Sequence, residues 1–198
     1  MTLRFARLGL LAPLAALFLS NPLAAQPSAT PAASEVRVAL DTSAGRIVLA
    51  LDPVHAPVTT ANFLKYVDGG RFNGESFYRA MKFGDGGLIQ AGVTSNARKL
   101  LPPIKHEPVS ETGIKHVAGT VAMANLGPGT ARADFFILTS DAPSFNDTFA
   151  AFGKVVEGMD VAKSILASPV SATKGEGIMR GQMLDPVVKI TKASRLAN

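Results

Sequence analysis

Apolar positions fall in two rhythms along this chain. Val36 to Leu40 alternates apolar residues with others, Arg46 to Leu51 is a second β-rich run, and Thr42-Ser-Ala-Gly45 between them is a turn signal. Together they predict a β-hairpin. After Pro57, Phe63, Tyr66 and Val67 fall at i, i+3 and i+4, and Gly69-Gly70 supplies a stop. That spacing predicts a helix over Val58–Asp68, with the proline in its first turn. From Phe72 to Phe152 the apolar runs are short and cut by Gly, Pro, Asn and Asp: Ser76–Met81, Gly87–Ala91, Thr120–Ala124, Phe135–Thr139 and Ala150–Val155. The helical rhythm returns at Met159–Leu166, where Met159, Ala162, Ile165 and Leu166 share a face. Pro186 to Thr191 reads as a last strand. No repeat of solenoid or propeller length is present. The pattern predicts one mostly β domain with two helices, a barrel or sandwich over about residues 35–193, with 194–198 as a tail.

One apolar stretch belongs to neither rhythm. Leu8 to Leu19 is an uncharged run of twelve residues, preceded by Arg4 and Arg7 and followed by a small-residue exit ending in Ala24-Ala25. Residues 1–25 read as a secretory signal peptide. The run is short of the ~20 apolar residues of a membrane span. Gln26 to Ser34 is small, polar and Pro-containing, a flexible tether. The formal charge of +5 shrinks accordingly. With Arg4 and Arg7 removed, eighteen basic residues face fifteen acidic ones, a net of +3. The remaining bases are scattered among acids with no basic stripe interleaved with aromatics, so nucleic-acid binding is not expected. The 198 residues contain no Cys, which excludes disulfides, thiolate metal sites, iron–sulfur clusters and thiol nucleophiles.

The chain carries none of the familiar metal, phosphate-loop or nucleophile motifs. His55, His106 and His116 have no ligand spacing, so no metal is expected, and His106-Glu107 reads as a pair in a solvated loop. Gly84-Asp-Gly-Gly87 lacks the Lys-Ser/Thr of a phosphate loop and fits turn chemistry instead. No Gly-x-Ser-x-Gly elbow exists. One constellation stands out. Tyr78-Arg79 lies within an apolar strand, Leu88 and Gln90 share a face of the next strand, and adjacent Phe135 and Phe136 must point to opposite faces of a third. Residue pattern alone leaves two readings open: a surface-strand arginine with two core phenylalanines, or a pocket bearing one arginine and one phenylalanine.

At these residues the chain resembles the cyclophilin-type peptidyl-prolyl cis–trans isomerases, in particular their bacterial periplasmic branch. The match is carried in order by Thr42-Ser-Ala-Gly-Arg-Ile-Val-Leu-Ala-Leu51, Ala56-Pro-Val-Thr-Thr-Ala-Asn-Phe63, Ser76-Phe-Tyr-Arg79, Gly119-Thr-Val-Ala-Met-Ala-Asn125, Asp134-Phe-Phe-Ile137 and Phe152-Gly-Lys-Val-Val-Glu-Gly-Met-Asp160. The resemblance implies a closed eight-stranded antiparallel β-barrel capped by two α-helices, with its site on the outside of the barrel. It implies a periplasmic monomer, free of the membrane once the signal is removed. Its substrates would be X–Pro bonds in folding exported polypeptides, turned over without cofactor or metal. A catalytically weak proline-peptide binding module or chaperone on the same fold is the alternative. By position, the resemblance makes Arg79 the hydrogen-bond donor to the prolyl nitrogen, Phe136 the pocket floor and Leu88 a wall. Gln90 would bind substrate backbone, Ala124 and Asn125 would offer main-chain contacts, and Phe145 would close the pocket.

The chain also departs from the family pattern. Tyr78 replaces the usual His before the arginine, and Asp134 the usual Gln before the paired phenylalanines. Met81 to Gly92 is about three residues longer than the family segment, with Gly87 where a pocket Phe stands. Phe83 is the residue expected to refill that space. Phe149 aligns with a pocket His, and no Trp is present, Ser144 lying near its place.

Overall fold

The first hairpin forms where the alternation predicts it. The computed structural model describes residues 35–197; the signal segment at 1–25 and the tether at 26–34 lie outside them. Strand β1 (Val36–Thr42) pairs antiparallel with β2 (Gly45–Leu51), from Val36 opposite Leu51 to Thr42 opposite Gly45. The Thr42 hydroxyl donates to Gly45 O (2.6 Å) and accepts from Ala44 N (3.1 Å), closing the turn with local bonds. Helix α1 (Pro57–Asp68) has Pro57 in its first turn as expected. Its cap comes from far away. Ala56 offers no side-chain bond, and the Glu107 carboxylate instead accepts from the N–H groups of Val58 (3.0 Å) and Thr59 (2.8 Å) and from the Thr59 hydroxyl (2.6 Å). This corrects the solvated-loop reading of His106-Glu107: Glu107 is buried, because the orphan N–H groups and positive end of a helix favour an anion there.

The remaining elements are β3 (Ser76–Phe83), β4 (Gly86–Gly92), α2 (Val109–Thr112), β5 (Thr120–Met123), β6 (Phe135–Leu138), β7 (Ala150–Glu157), α3 (Met159–Ala167) and β8 (Met183–Arg195). The strands close into an antiparallel barrel in the order β1-β2-β7-β5-β6-β4-β3-β8. Helix α1 packs on β7 and β8, and α3 on β2, β3 and β4. Two differences from the pattern follow from pairing. The last strand begins three residues before Pro186, and Ser194 and Arg195, read as tail, pair with Ala39 and Val38. The turn α2 is a single helical turn, too short to show a period.

Alternation sorts the side chains into two apolar clusters. The inner one holds Leu40, Leu49, Phe77, Ile89, Phe135 and Phe152, joined by Phe63 from α1 and by Phe72. The Phe63 ring lies 5.1 Å from each of Phe72, Phe135 and Phe152. Each such buried side chain contributes about 1.5–3 kcal/mol. Side chains fill the barrel interior. The second cluster lies on the outer face of β4, β5, β6 and β7: Leu88, Ala122, Phe136, Leu138, Ala142 and Ala151, with Met81, Phe83, Ala124, Phe145 and Phe149 against it. That apolar outer face is where a site has room to form.

Candidate active site

Strict alternation would send Phe77 and Arg79 to the same side of β3, into the packed interior. The register prevents it. Phe77 pairs with Ala91 but Arg79 pairs with Gln90, so Tyr78 is an extra residue on β3, a β-bulge. The bulge shifts the phase. Phe77 and Ala80 stay in the inner cluster, whereas Tyr78, Arg79 and Met81 line a cavity of about 580 Å³ on the outer face. Leu88 and Gln90 reach the same cavity from β4, and Phe136 from β6, while its neighbour Phe135 points inward. Ala124, Asn125, Phe145 and Phe149 complete the wall on the far side.

Arg79 is buried and held on two sides. Its Nε donates to Gln182 Oε1 (2.8 Å) and Nη1 to Gln90 Oε1 (2.9 Å), while Nη2 meets only the thioether of Met81 (3.2 Å). A guanidinium has five N–H donors. Two are firmly bonded, one faces a weak acceptor, and the others are free to serve a ligand. Burial lowers the Arg79 pKa from its usual value and Tyr78 partly offsets this; an arginine stays charged under such a shift. The Gln90 amide is fixed at both ends, because its Nε2 donates to the Tyr78 hydroxyl (2.6 Å).

The cavity has an apolar end and a polar end. At the apolar end Phe136, Phe145 and Phe149 form an edge-to-face trio, with centroids 5.1–5.8 Å apart, beside Leu88 and Met81. His116 backs the trio, stacked 6.3 Å from Phe136, with Nδ1 3.0 Å from Asn146 Oδ1. Burial lowers its pKa, with Asn146 opposing, which favours the neutral ring. At the polar end stand Asn125, Thr130, Arg132 and Asp134. Ala124 N is bonded to Asp134 O (2.8 Å); Ala124 O and Asn125 N have no hydrogen-bond partner among the described residues. They can hold the backbone of an extended chain. Two large apolar residues stand on the rim, Leu126 at 98% exposure and Ile178 at 85%.

Asp134 is the unusual group. Burial, and then the charge of Glu75, raise its carboxyl to about 6, with the Tyr78 hydroxyl easing it. Burial likewise raises the Tyr78 phenol. The Oδ1 of Asp134 is buried with no partner. It occupies the space over Gly92, where a Cβ would lie 1.5 Å from it.

Of the residues expected from sequence, Arg79, Leu88, Gln90, Ala124, Asn125, Phe136 and Phe145 converge on this one cavity. Phe83 does not line it. Its ring lies behind, 5.9 Å from Phe145, because the β3–β4 turn falls at Gly84-Asp85 and leaves Phe83 at the strand end. Gly87 has φ of 154°, and a Cβ there would lie 2.1 Å from Met81 O, so no side chain can stand where the family has its Phe. Sequence reasoning missed Met81, Gln182, Ile178 and Met179. Met81 sits outward only because of the bulge, and the others come from a loop with no periodicity. Among the described residues no three His, Asp or Glu side chains form a group that could hold a metal ion.

Comparison with known proteins gives a consistent picture. The model of the family described as cyclophilin type peptidyl-prolyl cis-trans isomerase/CLD matches residues 37–194. Peptidyl-prolyl cis-trans isomerase A of Dickeya dadantii is 37% identical over 161 residues, covering 77% of this chain and 82% of that protein. Peptidyl-prolyl cis-trans isomerase cyp18 of Streptomyces antibioticus is 37% identical over 149 residues, covering 70% and 87%. The crystal structure of a cyclophilin type isomerase from Cryptosporidium parvum superposes with a TM-score of 0.70 at 22% identity, covering 83% of this chain and 99% of that one. A structure of that protein in the presence of the dipeptide Ala-Pro gives 0.68.

Proposed function

We propose, from the premise that this chain belongs to the cyclophilin-type peptidyl-prolyl cis–trans isomerase family, that Arg79 drives the isomerisation by donating to the prolyl nitrogen of the twisted bond. The enzyme class is that of its relatives, and the reasoning for the residue is physical. An amide C–N bond has partial double-bond character and a rotation barrier of about 18–20 kcal/mol. Twisting it by a quarter turn destroys the resonance and returns a lone pair to nitrogen. A hydrogen bond to that nitrogen forms in the twisted state and not in either planar one. It therefore stabilises the transition state selectively, which is what raises a rate. The donor must be charged, fixed beforehand and shielded from bulk water.

The observation that carries the proposal is the holding of Arg79. Gln90 and Gln182 fix its guanidinium from two sides, and donors remain free beside the aromatic trio. The apolar end suits a prolyl ring. Ala124 O and Asn125 N suit the flanking backbone. No proton transfer, nucleophile or cofactor enters these steps. The test is a prolyl-peptide isomerisation assay on wild type, Arg79→Ala and the control Arg71→Ala. Arg79→Ala is expected to lower kcat/KM by about 10²–10³, the scale of losing one preorganised donor. Equal activity in wild type and Arg79→Ala would sink the role.

The substrates are proline-containing segments of exported polypeptides, and the enzyme works as a periplasmic monomer once residues 1–25 are removed. The signal-like N-terminus supports this setting. A holding role on unfolded chains, with little turnover, is favoured by one observation, the exposure of Leu126 and Ile178 on the rim. Peptide binding without acceleration in the same assay would select it.

A further inference from the structure

We infer that Asp134 selects substrates carrying a basic side chain two residues from the proline. The inference rests on the proposed use of this cavity for proline peptides. Asp134 and Phe136 are two positions apart where the chain enters β6, and both line the cavity. Residues i and i+2 of an extended strand are about 6.6 Å apart and share a face. A substrate chain running alongside, with its proline over Phe136, therefore carries the side chain two residues away over Asp134.

The chemistry at that point is an acceptor in need of a donor. Oδ1 of Asp134 is buried without a partner, and the one side-chain group that acts on the carboxylate as a donor is the neutral Tyr78 hydroxyl. Neither cationic neighbour bonds the carboxylate. Arg79 is bonded to Gln90 and Gln182, and Arg132, on the same loop, turns its Nε to Leu101 O (2.8 Å) and is exposed. Glu75, whose charge also reaches Asp134, has its own cation in Lys99 (2.8 Å). The β4 and β5 segments facing the site contribute no charged side chain. A carboxylate is acceptor-only, and a bond from an ammonium or guanidinium is stronger than one from a neutral donor. Gly92 shows that the carboxylate position is built in, since any side chain there would collide with it.

The carboxyl is raised to about 6, so the negative charge is present above that pH and lost below it. Burial raises it first, Glu75 adds to this and Tyr78 opposes. A lysine or arginine on the substrate keeps its charge throughout. The preference must fade as pH falls from 7.5 to 5.

The experiment uses matched proline peptides with Lys, norleucine or Glu two residues before the proline, and a second set with the change two residues after it. Isomerisation is measured at pH 7.5 and pH 5.0 with the mature wild type and Asp134→Asn. In one of the two sets, kcat/KM for Lys should exceed that for norleucine by about fivefold or more at pH 7.5. The ratio should fall below about twofold at pH 5.0 and in Asp134→Asn. No Lys preference in either set, or one unchanged by both pH and Asp134→Asn, overturns the inference. If the variant does not fold, the wild-type pH comparison decides alone. If wild type accelerates no peptide, the isomerase mechanism fails separately, and dissociation constants of the same peptides test the selectivity.

Discussion

In the role proposed for Arg79, a guanidinium has to be held still without being used up. Gln90 and Gln182 do this for Arg79, and Tyr78 fixes the Gln90 amide by accepting from its Nε2. Adjacent phenylalanines should differ in their effect on the proposed activity. Phe135→Ala, in the inner cluster, should cost about 3–5 kcal/mol in denaturant unfolding. Phe136→Ala, buried in the outer cluster, should cost stability too and in addition raise KM for proline peptides, since its ring lines the cavity. Asp134 and Glu75 should pull stability in opposite directions with pH. The folded Asp134 holds its proton to about 6 against an ordinary 3.8, so its contribution falls as pH rises through about 4 to 6. Glu75 is the reverse. Burial alone would raise it, but bonds from Lys99, Ser95 and Thr94 hold it below its ordinary 4.5, so its stabilisation is lost as pH falls through that lowered range. Thermal melts from pH 4 to 7 should show Asp134→Asn gaining on wild type as pH rises, and Glu75→Gln losing least at the acid end.

Among the elements, hairpins and helices were legible because their signals are local. The turn Thr42 to Gly45 and the stop after Asp68 use only neighbouring residues. The cap of α1 was not legible. Its carboxylate comes from Glu107, 49 residues from Val58, and no spacing rule connects them. Glu107→Ala should therefore destabilise the protein by about 2 kcal/mol, read from the urea midpoint, through lost cap bonds and unpaired N–H groups. Short-peptide isomerisation by the folded fraction should remain near wild type. The β3 bulge was equally hidden. It depends on how β4 and β8 pair with β3, and pairing partners leave no mark in the β3 sequence itself.

For the whole molecule, a filled barrel forces the chemistry outward. Phe63, Phe72, Phe77, Phe135 and Phe152 occupy the interior, so the cavity opens on the outer face of β3 to β6. The export reading belongs to this scale too. Expressed with its full N-terminus in a bacterium with a periplasm, the protein should be recovered from that compartment with Gln26 as its first residue. N-terminal sequencing checks this, and a cytoplasmic product starting at Met1 would contradict it.

The sequence by itself determined the barrel, the two main helices and seven residues that meet in one cavity. Period, turn chemistry and ordered motifs are local quantities, and they survive in a linear string. Tertiary structure alone decided which way Arg79 faces, that Phe83 falls outside the cavity, and that Asp134 stands in it with its Oδ1 buried and unpartnered. Those outcomes depend on strand register and on what distant segments bring near, such as Gly92 beneath the Asp134 carboxylate. A one-residue shift in register turns a side chain to the opposite face, and only the closed barrel fixes that register.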